Sequence, residues 1–320
     1  MSTDALFPLV TRWADRLLYE RVRPFAERVS PRTLDRLARL VAVPLALGAL
    51  ARSPAQTRAY LRQVGHPSGP IGRLRFAYRK ALARIRGEYV YLRPDAPVRR
   101  GPGVERLEER GEAAVIVGWS AFGVVGASRL AAERDDRVIR FPYGGEGGPE
   151  PEDVAEPWRR WEAHQASVRH RLIGPYQLLP GQSPLSYLRA LRSGKSLIVL
   201  QDVPDSSAEA PRRSLVGTER SLPVGAVRLA RAARVPVYTL SVSFRDGELW
   251  VDLDGPHDDD EQQLLDRLDA QIRAEPWAWT LWREFTDAPA EAASPVPVAA
   301  PAPPASRRAV AQPAGRLKTA

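Results

Sequence analysis

The chain has 320 residues, no cysteine, four histidines and a formal net charge of +9, so thiolate nucleophiles, thiolate zinc sites and disulfides are excluded. Nearly all of the positive charge is arginine; guanidinium forks suit phosphates on nucleic acid or on lipid headgroups, although a compositional bias towards arginine would give the same total. The chain shows no basic, apolar and small-residue sequence of the kind that directs export, so it is expected inside the cell.

Leu6 to about Arg28 carries Leu6, Leu9, Trp13 and Leu17 at helical spacing, with Arg12, Arg16, Arg21 and Arg23 between them. This spells an amphipathic basic helix, suited either to an anionic membrane surface or to packing on its own domain. Ser30-Pro31 is an N-cap and first-turn pair that starts a second helix, reaching about Leu50. Its apolar run from Leu40 to Ala51 contains Pro44 and falls well short of the roughly 20 residues that span a bilayer. Ser53-Pro54 starts a third helix closed by Gly65, and Pro70 to Arg86 forms a fourth with Leu74, Tyr78, Leu82 and Ile85 on one face. Residues 1–90 therefore read as a helical, membrane-surface region.

From Glu112 short apolar runs alternate with helices, the pattern of a mostly parallel sheet with crossover helices. Strands are expected at Ala113–Val117, Val138–Phe141, Ser196–Leu200 and Val235–Val242, the last turning at Arg245-Asp246-Gly247 into Glu248–Leu253. Helices are expected at Val124–Glu133, Val154–His170, Pro184–Ser193, Pro223–Ala233 and Glu261–Arg273. The fold class is thus α/β: a mostly parallel mixed sheet flanked by helices over 91–286, preceded by the helical region. The stretch 287–320, rich in alanine and proline, lacks the apolar content to fold.

The turn after the first of these strands reads Val117-Gly118-Trp119-Ser120-Ala121-Phe122-Gly123-Val124-Val125-Gly126. Gly118 and Gly123 have the spacing that opens a P-loop, but Val124 and Val125 stand where lysine and a hydroxyl residue belong. A dinucleotide site wants an acid about 20 residues on, where the chain has Arg140. Ser120 is not in a nucleophile elbow, since Phe122 replaces the second glycine. Nucleotide chemistry and serine hydrolysis are both unsupported.

Downstream, Leu188 to Gly194 leads into Ser196-Leu197-Ile198-Val199-Leu200-Gln201-Asp202; Gly217-Thr218-Glu219-Arg220-Ser221-Leu222-Pro223-Val224-Gly225 opens a helix; Val235-Pro236-Val237 begins a strand; and Glu275-Pro276-Trp277-Ala278-Trp279-Thr280-Leu281-Trp282-Arg283 follows. In this order, over roughly Arg75 to Phe285, the chain resembles the bacterial lipid A acyltransferases of the lysophospholipid acyltransferase superfamily. The resemblance implies transfer of an acyl chain from a carrier-protein or coenzyme A thioester to a lipid or glycolipid hydroxyl, at the inner face of the cytoplasmic membrane, with no bound cofactor. In that family a histidine follows the strand glycine and acts as general base, oriented by an acid five positions on. Here Trp119 and Val124 stand at those positions, and no histidine lies between His66 and His164.

Two functional classes follow from the resemblance: an acyltransferase of altered or weak activity, or a non-catalytic partner that binds lipid or acyl carrier protein. The Gly118 turn is expected beneath the bound ester and Asp202, ending a strand, in a positioning role, with Arg189, Arg192 and Arg220 holding a phosphate, their alternative being exposed faces. His164 and His170 are candidate replacement bases or structural histidines. His257 with Asp258, Asp259, Asp260 and Glu261 reads as acids favouring the next helix N-terminus rather than as a metal cluster. The tryptophans near the C-terminus are expected to cap the core. Nucleic-acid binding rests on net charge alone and is not expected.

Overall fold

The computed structural model describes residues 23–26, 28–122, 137–140, 156–173, 184–203, 211–223, 225–258, 260–282 and 285. The expected helix Leu6–Arg28 is described only at α1 (Arg23–Ala26), and the helix expected at Val124–Glu133, together with the tail, lies outside these residues.

The proline-started helices form where the N-caps place them. Helix α2 (Pro31–Arg52) begins at Ser30, whose hydroxyl accepts from the Thr33 N–H at 3.2 Å, and it continues through Pro44. Helix α3 (Pro54–Gln63) follows directly, and α4 (Pro70–Leu92) runs six residues past the expected end. The extension has a packing cause: Tyr89 donates to the Leu34 carbonyl, and Arg86 pairs with the buried Asp35 at 2.7 Å. These contacts lock the C-terminal part of α4 against the start of α2. The small residues Ala38, Ala42 and Ala81 let the two helices approach closely around Leu34 and Leu82. Position 90, taken as a domain boundary from the sequence, falls inside α4, and Val90 belongs to the core beneath the sheet.

The remaining elements are β1 (Val98–Arg100), α5 (Pro102–Arg110), β2 (Val115–Gly118), β3 (Arg137–Arg140), α6 (Glu156–Ile173), α7 (Pro184–Arg192), β4 (Ser196–Leu200), β5 (Arg212–Leu215), β6 (Thr218–Ser221), α8 (Ala226–Ala233), β7 (Val237–Arg245), β8 (Glu248–His257) and α9 (Glu261–Ala274). Six strands form one sheet in the order β1-β8-β7-β2-β4-β3, in which only the β7–β8 pair is antiparallel. This is the mostly parallel mixed α/β sheet expected from the alternating apolar runs.

Both faces of the central strands are buried, as unbroken apolar runs require. Val115, Val117, Leu197 and Val199 face one core, with Tyr60, Leu191, Val227, Leu264 and Leu268 from the covering helices. Ile116 and Ile198 face the other, with Val104, Leu107, Val168 and Leu172. The period-two alternation of side chains along a strand separates the two layers.

Two features correct the sequence reading. Gly217 does not lead into a helix: it sits with Val216 at the turn of a two-stranded hairpin, β5–β6, and α8 begins only at Ala226. Val216 and Gly217 have φ of 55° and 72°, the conformation of a tight primed turn. A β-branched residue disfavours that conformation, so the sequence gives no signal for it. Tertiary contacts hold it instead: the Val216 N–H donates to Asp269, and the Val216 carbonyl accepts from Gln63 at 2.6 Å. Strand β1 and helix α5, unmarked by any strong pattern, also complete the fold.

Candidate functional site

Strands β2 and β4 are parallel and in register, with Gly118 opposite Leu200. Two residues beyond each strand end, Ser120 and Asp202 are therefore side by side at the carboxyl edge of the sheet, where sites in open α/β folds lie. Gly118 is held by close packing: a Cβ there would stand 3.2 Å from Leu240 and 3.3 Å from Leu200. Its carbonyl accepts from the Gln201 N–H at 3.1 Å.

Asp202 is fully buried. Its Oδ2 accepts from the Ser120 backbone N–H at 2.8 Å and from the Trp279 indole N–H at 2.6 Å, and its Oδ1 accepts from the Ser120 hydroxyl at 3.0 Å. Burial raises the carboxyl pKa above the usual range, and these hydrogen bonds offset part of the rise. The segment containing Trp279 closes over the turn. Ala121 and Trp279 form a β-bridge, Phe122 donates to the Ala278 carbonyl, and Thr280 donates to the Ser120 carbonyl through both its N–H and its hydroxyl.

Trp119 is 5% exposed and packs into the core beneath the turn. Its indole accepts no proton near neutral pH. Val124 lies outside the described residues.

The other expected site residues are divided. Arg220 on β6 lies 5.8 Å from the Phe285 ring, which meets Trp279 at 4.8 Å with the ring planes tilted by 45°. These two rings stand between its guanidinium and the Asp202 turn. Arg189 and Arg192 are exposed on the last turn of α7, which passes through Gly194 into the start of β4. They stand at the amino end of the strand, five residues at about 3.3 Å each from the Asp202 end. Arg192 donates to the Ala232 carbonyl at 3.3 Å. The structure does not gather these two arginines with Gly118 and Asp202.

His164 has its Nε2 2.8 Å from the Tyr91 carbonyl oxygen, on α6, and the side chain of His170 is outside the described set. His257 is buried on β8 with its Nε2 3.3 Å from the Thr239 hydroxyl. Asp260 caps α9, accepting from the Gln262 and Gln263 N–H groups, which is the helix-start role read for this acidic turn. Among the described residues no group of three or more histidines and acids could hold a metal ion.

Sequence reasoning missed two members of the site. Trp279 is a core cap, as expected, but it is also a donor to Asp202. Glu261 accepts from the Gly225 and Val227 N–H groups at 2.8 and 3.1 Å and from the Gln201 side chain at 2.8 Å. It thus ties the start of α8 to the residue beside Asp202. A glutamate at a helix start is the one sequence signal that pointed to it.

No protein-family model matches the chain, and no curated protein sequence does so significantly. Among solved structures it is similar to the 1-acyl-sn-glycerophosphate (LPA) acyltransferase of Thermotoga maritima, at 12% identity and a TM-score of 0.33, over 74% of this chain and 95% of that one. A superposition that loose assigns no function, and the chemistry must be read from the residues themselves.

Proposed function

We propose that the chain is a non-catalytic, lipid-surface-binding relative of the lysophospholipid acyltransferases, partnering lipid or an acyl carrier protein rather than transferring the acyl group. The order of its motifs resembles the lipid A branch, whose reaction moves an acyl chain from a carrier-protein or coenzyme A thioester to a lipid hydroxyl. The observation that carries the non-catalytic reading is the closed turn. Trp119 is buried where a base would stand, and Asp202 spends both oxygens on Ser120 and Trp279. Loss of a general base alone costs about a hundred- to ten-thousandfold in rate.

Lipid-surface binding is supported by the outer face of α2. Leu40, Val41 and Leu47 are 69%, 46% and 56% exposed, and Ile71 at the start of α4 is 83% exposed. Several exposed apolar side chains of this size on one helix mark an interaction surface. Arg36 on the same helix would favour anionic headgroups, whereas Arg39 is paired with Asp35 at 2.8 Å. No described helix is long and apolar enough to cross a membrane, so this face would lie on the bilayer, at the inner leaflet in the localisation we propose.

Purified protein incubated with acyl carrier protein or coenzyme A thioesters and a panel of lipid and glycolipid acceptors tests the reading, with vesicle pelleting in parallel. Vesicle binding without thioester consumption is the expected result. Acceptor-dependent turnover would overturn it.

A further inference from the structure

At the junction of α3 and α4 a cavity of about 480 Å3 opens beside Ile71, within the range of small-ligand sites. It is separate from the Gly118 turn, none of whose described residues lines it. Its walls are mostly apolar: Leu61, Phe76 and Trp277 form the back, and Ile71 forms the rim. The wall is rigidly built, since a Cβ at Gly72 would lie 1.9 Å from the Pro67 carbonyl oxygen, so only glycine lets the 65–69 segment lie against α4. His66 fixes the other side, its Nε2 2.7 Å from the Arg273 carbonyl oxygen and its ring edge-on to Trp277.

Into this apolar setting project two cations, Arg75 and Arg79, one helical turn apart on α4. The Arg79 guanidinium lies over the Trp277 ring at 4.1 Å. Among the described residues neither guanidinium donates a hydrogen bond or forms a close ion pair, although the Glu275 charge is felt at Arg79. Burial first, and then the charge of Arg75, lowers the Arg79 pKa. An anion between the two guanidiniums would relieve that repulsion and supply the missing acceptors.

We infer that this cavity binds a single-chain anionic amphiphile, with its anionic group between Arg75 and Arg79 and its apolar stem along Phe76, Leu61 and Trp277. The inference rests on the lipid-surface reading for the source of such a ligand, and Ile71, largely exposed, stands at the cavity mouth. Its geometry stands independently of any bilayer.

The test is calorimetric titration of the full chain with dodecyl phosphate below its micelle concentration, beside inorganic phosphate and dodecyl maltoside. Dodecyl phosphate is expected to bind more tightly than either control, and the R75Q/R79Q variant to bind it about tenfold or more weakly. Ile71→Ser, at an exposed site that folding does not depend on, is expected to weaken dodecyl phosphate and leave inorganic phosphate unchanged. Equal binding by the arginine variant, equal binding of either control, or no binding of dodecyl phosphate by the wild type overturns the site. Vesicle pelleting of the wild-type protein, which both readings require to bind, separates the two. Dodecyl phosphate binding without vesicle pelleting removes the membrane face alone, and pelleting without dodecyl phosphate binding removes the cavity alone.

Discussion

Asp202 holds Ser120 twice, through the backbone N–H at 2.8 Å and the hydroxyl at 3.0 Å, although 82 residues separate them in the chain. The Trp279 indole completes the arrangement from a third segment. A carboxylate at the carboxyl edge of the sheet is thereby used as a fastening between β2, β4 and the C-terminal aromatic segment, and is withdrawn from solvent.

Removing this acceptor should be costly, and replacing it with an amide should not. Asp202→Ala leaves buried donors from Ser120 and Trp279 without partners, a loss of about 3 kcal/mol or more. Asp202→Asn keeps one oxygen for the Ser120 and Trp279 N–H groups while its amide donates to the Ser120 hydroxyl, so its stability should lie within about 1.5 kcal/mol of wild type. Urea unfolding of the two variants measures the difference, and equal losses would show that the hydrogen bonds are not what matters.

The pH dependence of stability follows from the same group. Because burial raises the folded-state pKa of Asp202 above its unfolded value, the folded state binds the extra proton between those two values. The contribution of Asp202 to stability is therefore fully present below the unfolded pKa and is lost as pH rises through the folded one. Asp202→Asn cannot titrate, so wild type should lose stability relative to the variant as pH rises from the ordinary aspartate range. A pH-independent difference between the two unfolding free energies would contradict the assignment.

Trp119 serves the core, so Trp119→His should destabilise by about 3 kcal/mol, as large-to-small changes at buried aromatics do. If the Gly118 turn does correspond to the acyl-transfer site, Trp119→His combined with Val124→Glu should still show thioester turnover above wild type at low temperature. A double mutant that is folded by circular dichroism yet inert would remove that correspondence.

The exposed face of α2 is expected to matter for lipid and not for folding. Leu40→Gln and Leu47→Gln keep helix propensity and should change stability by no more than about 0.5 kcal/mol. Each should weaken pelleting with anionic vesicles about tenfold or more, since burying a leucine is worth about 1.5–3 kcal/mol. Unchanged pelleting would move the membrane contact elsewhere.

Gly72→Ala should loosen the α3–α4 junction, because its Cβ would overlap the Pro67 carbonyl. Overpacking of this kind costs about 1–3 kcal/mol. Thermal unfolding reads the loss, and an unaffected melting temperature would mean that the 65–69 segment yields freely.

The sequence by itself determined what short-range physics controls. Ser30-Pro31, Ser53-Pro54 and Pro70 set helix starts, Asp246-Gly247 set the β7–β8 turn, and the unbroken apolar runs at Val115 and Ser196 announced strands buried on both faces. It also named Gly118 and Asp202 and showed that no histidine follows the strand glycine. The tertiary structure alone decided what those residues do. Strand register placed Ser120 against Asp202, the fold back of the C-terminal segment supplied Trp279, and the length of α4 beyond Arg86 followed from its contacts with Leu34 and Asp35. The Val216-Gly217 turn needed Asp269 and Gln63 to hold a conformation that its own residues disfavour. The same pairing that buries both sheet faces separated Arg189 and Arg192 from the turn by a strand's length. Caps and turns are settled by neighbours a few residues apart, whereas hydrogen bonds across 77 to 82 residues depend on the register and burial of the whole sheet.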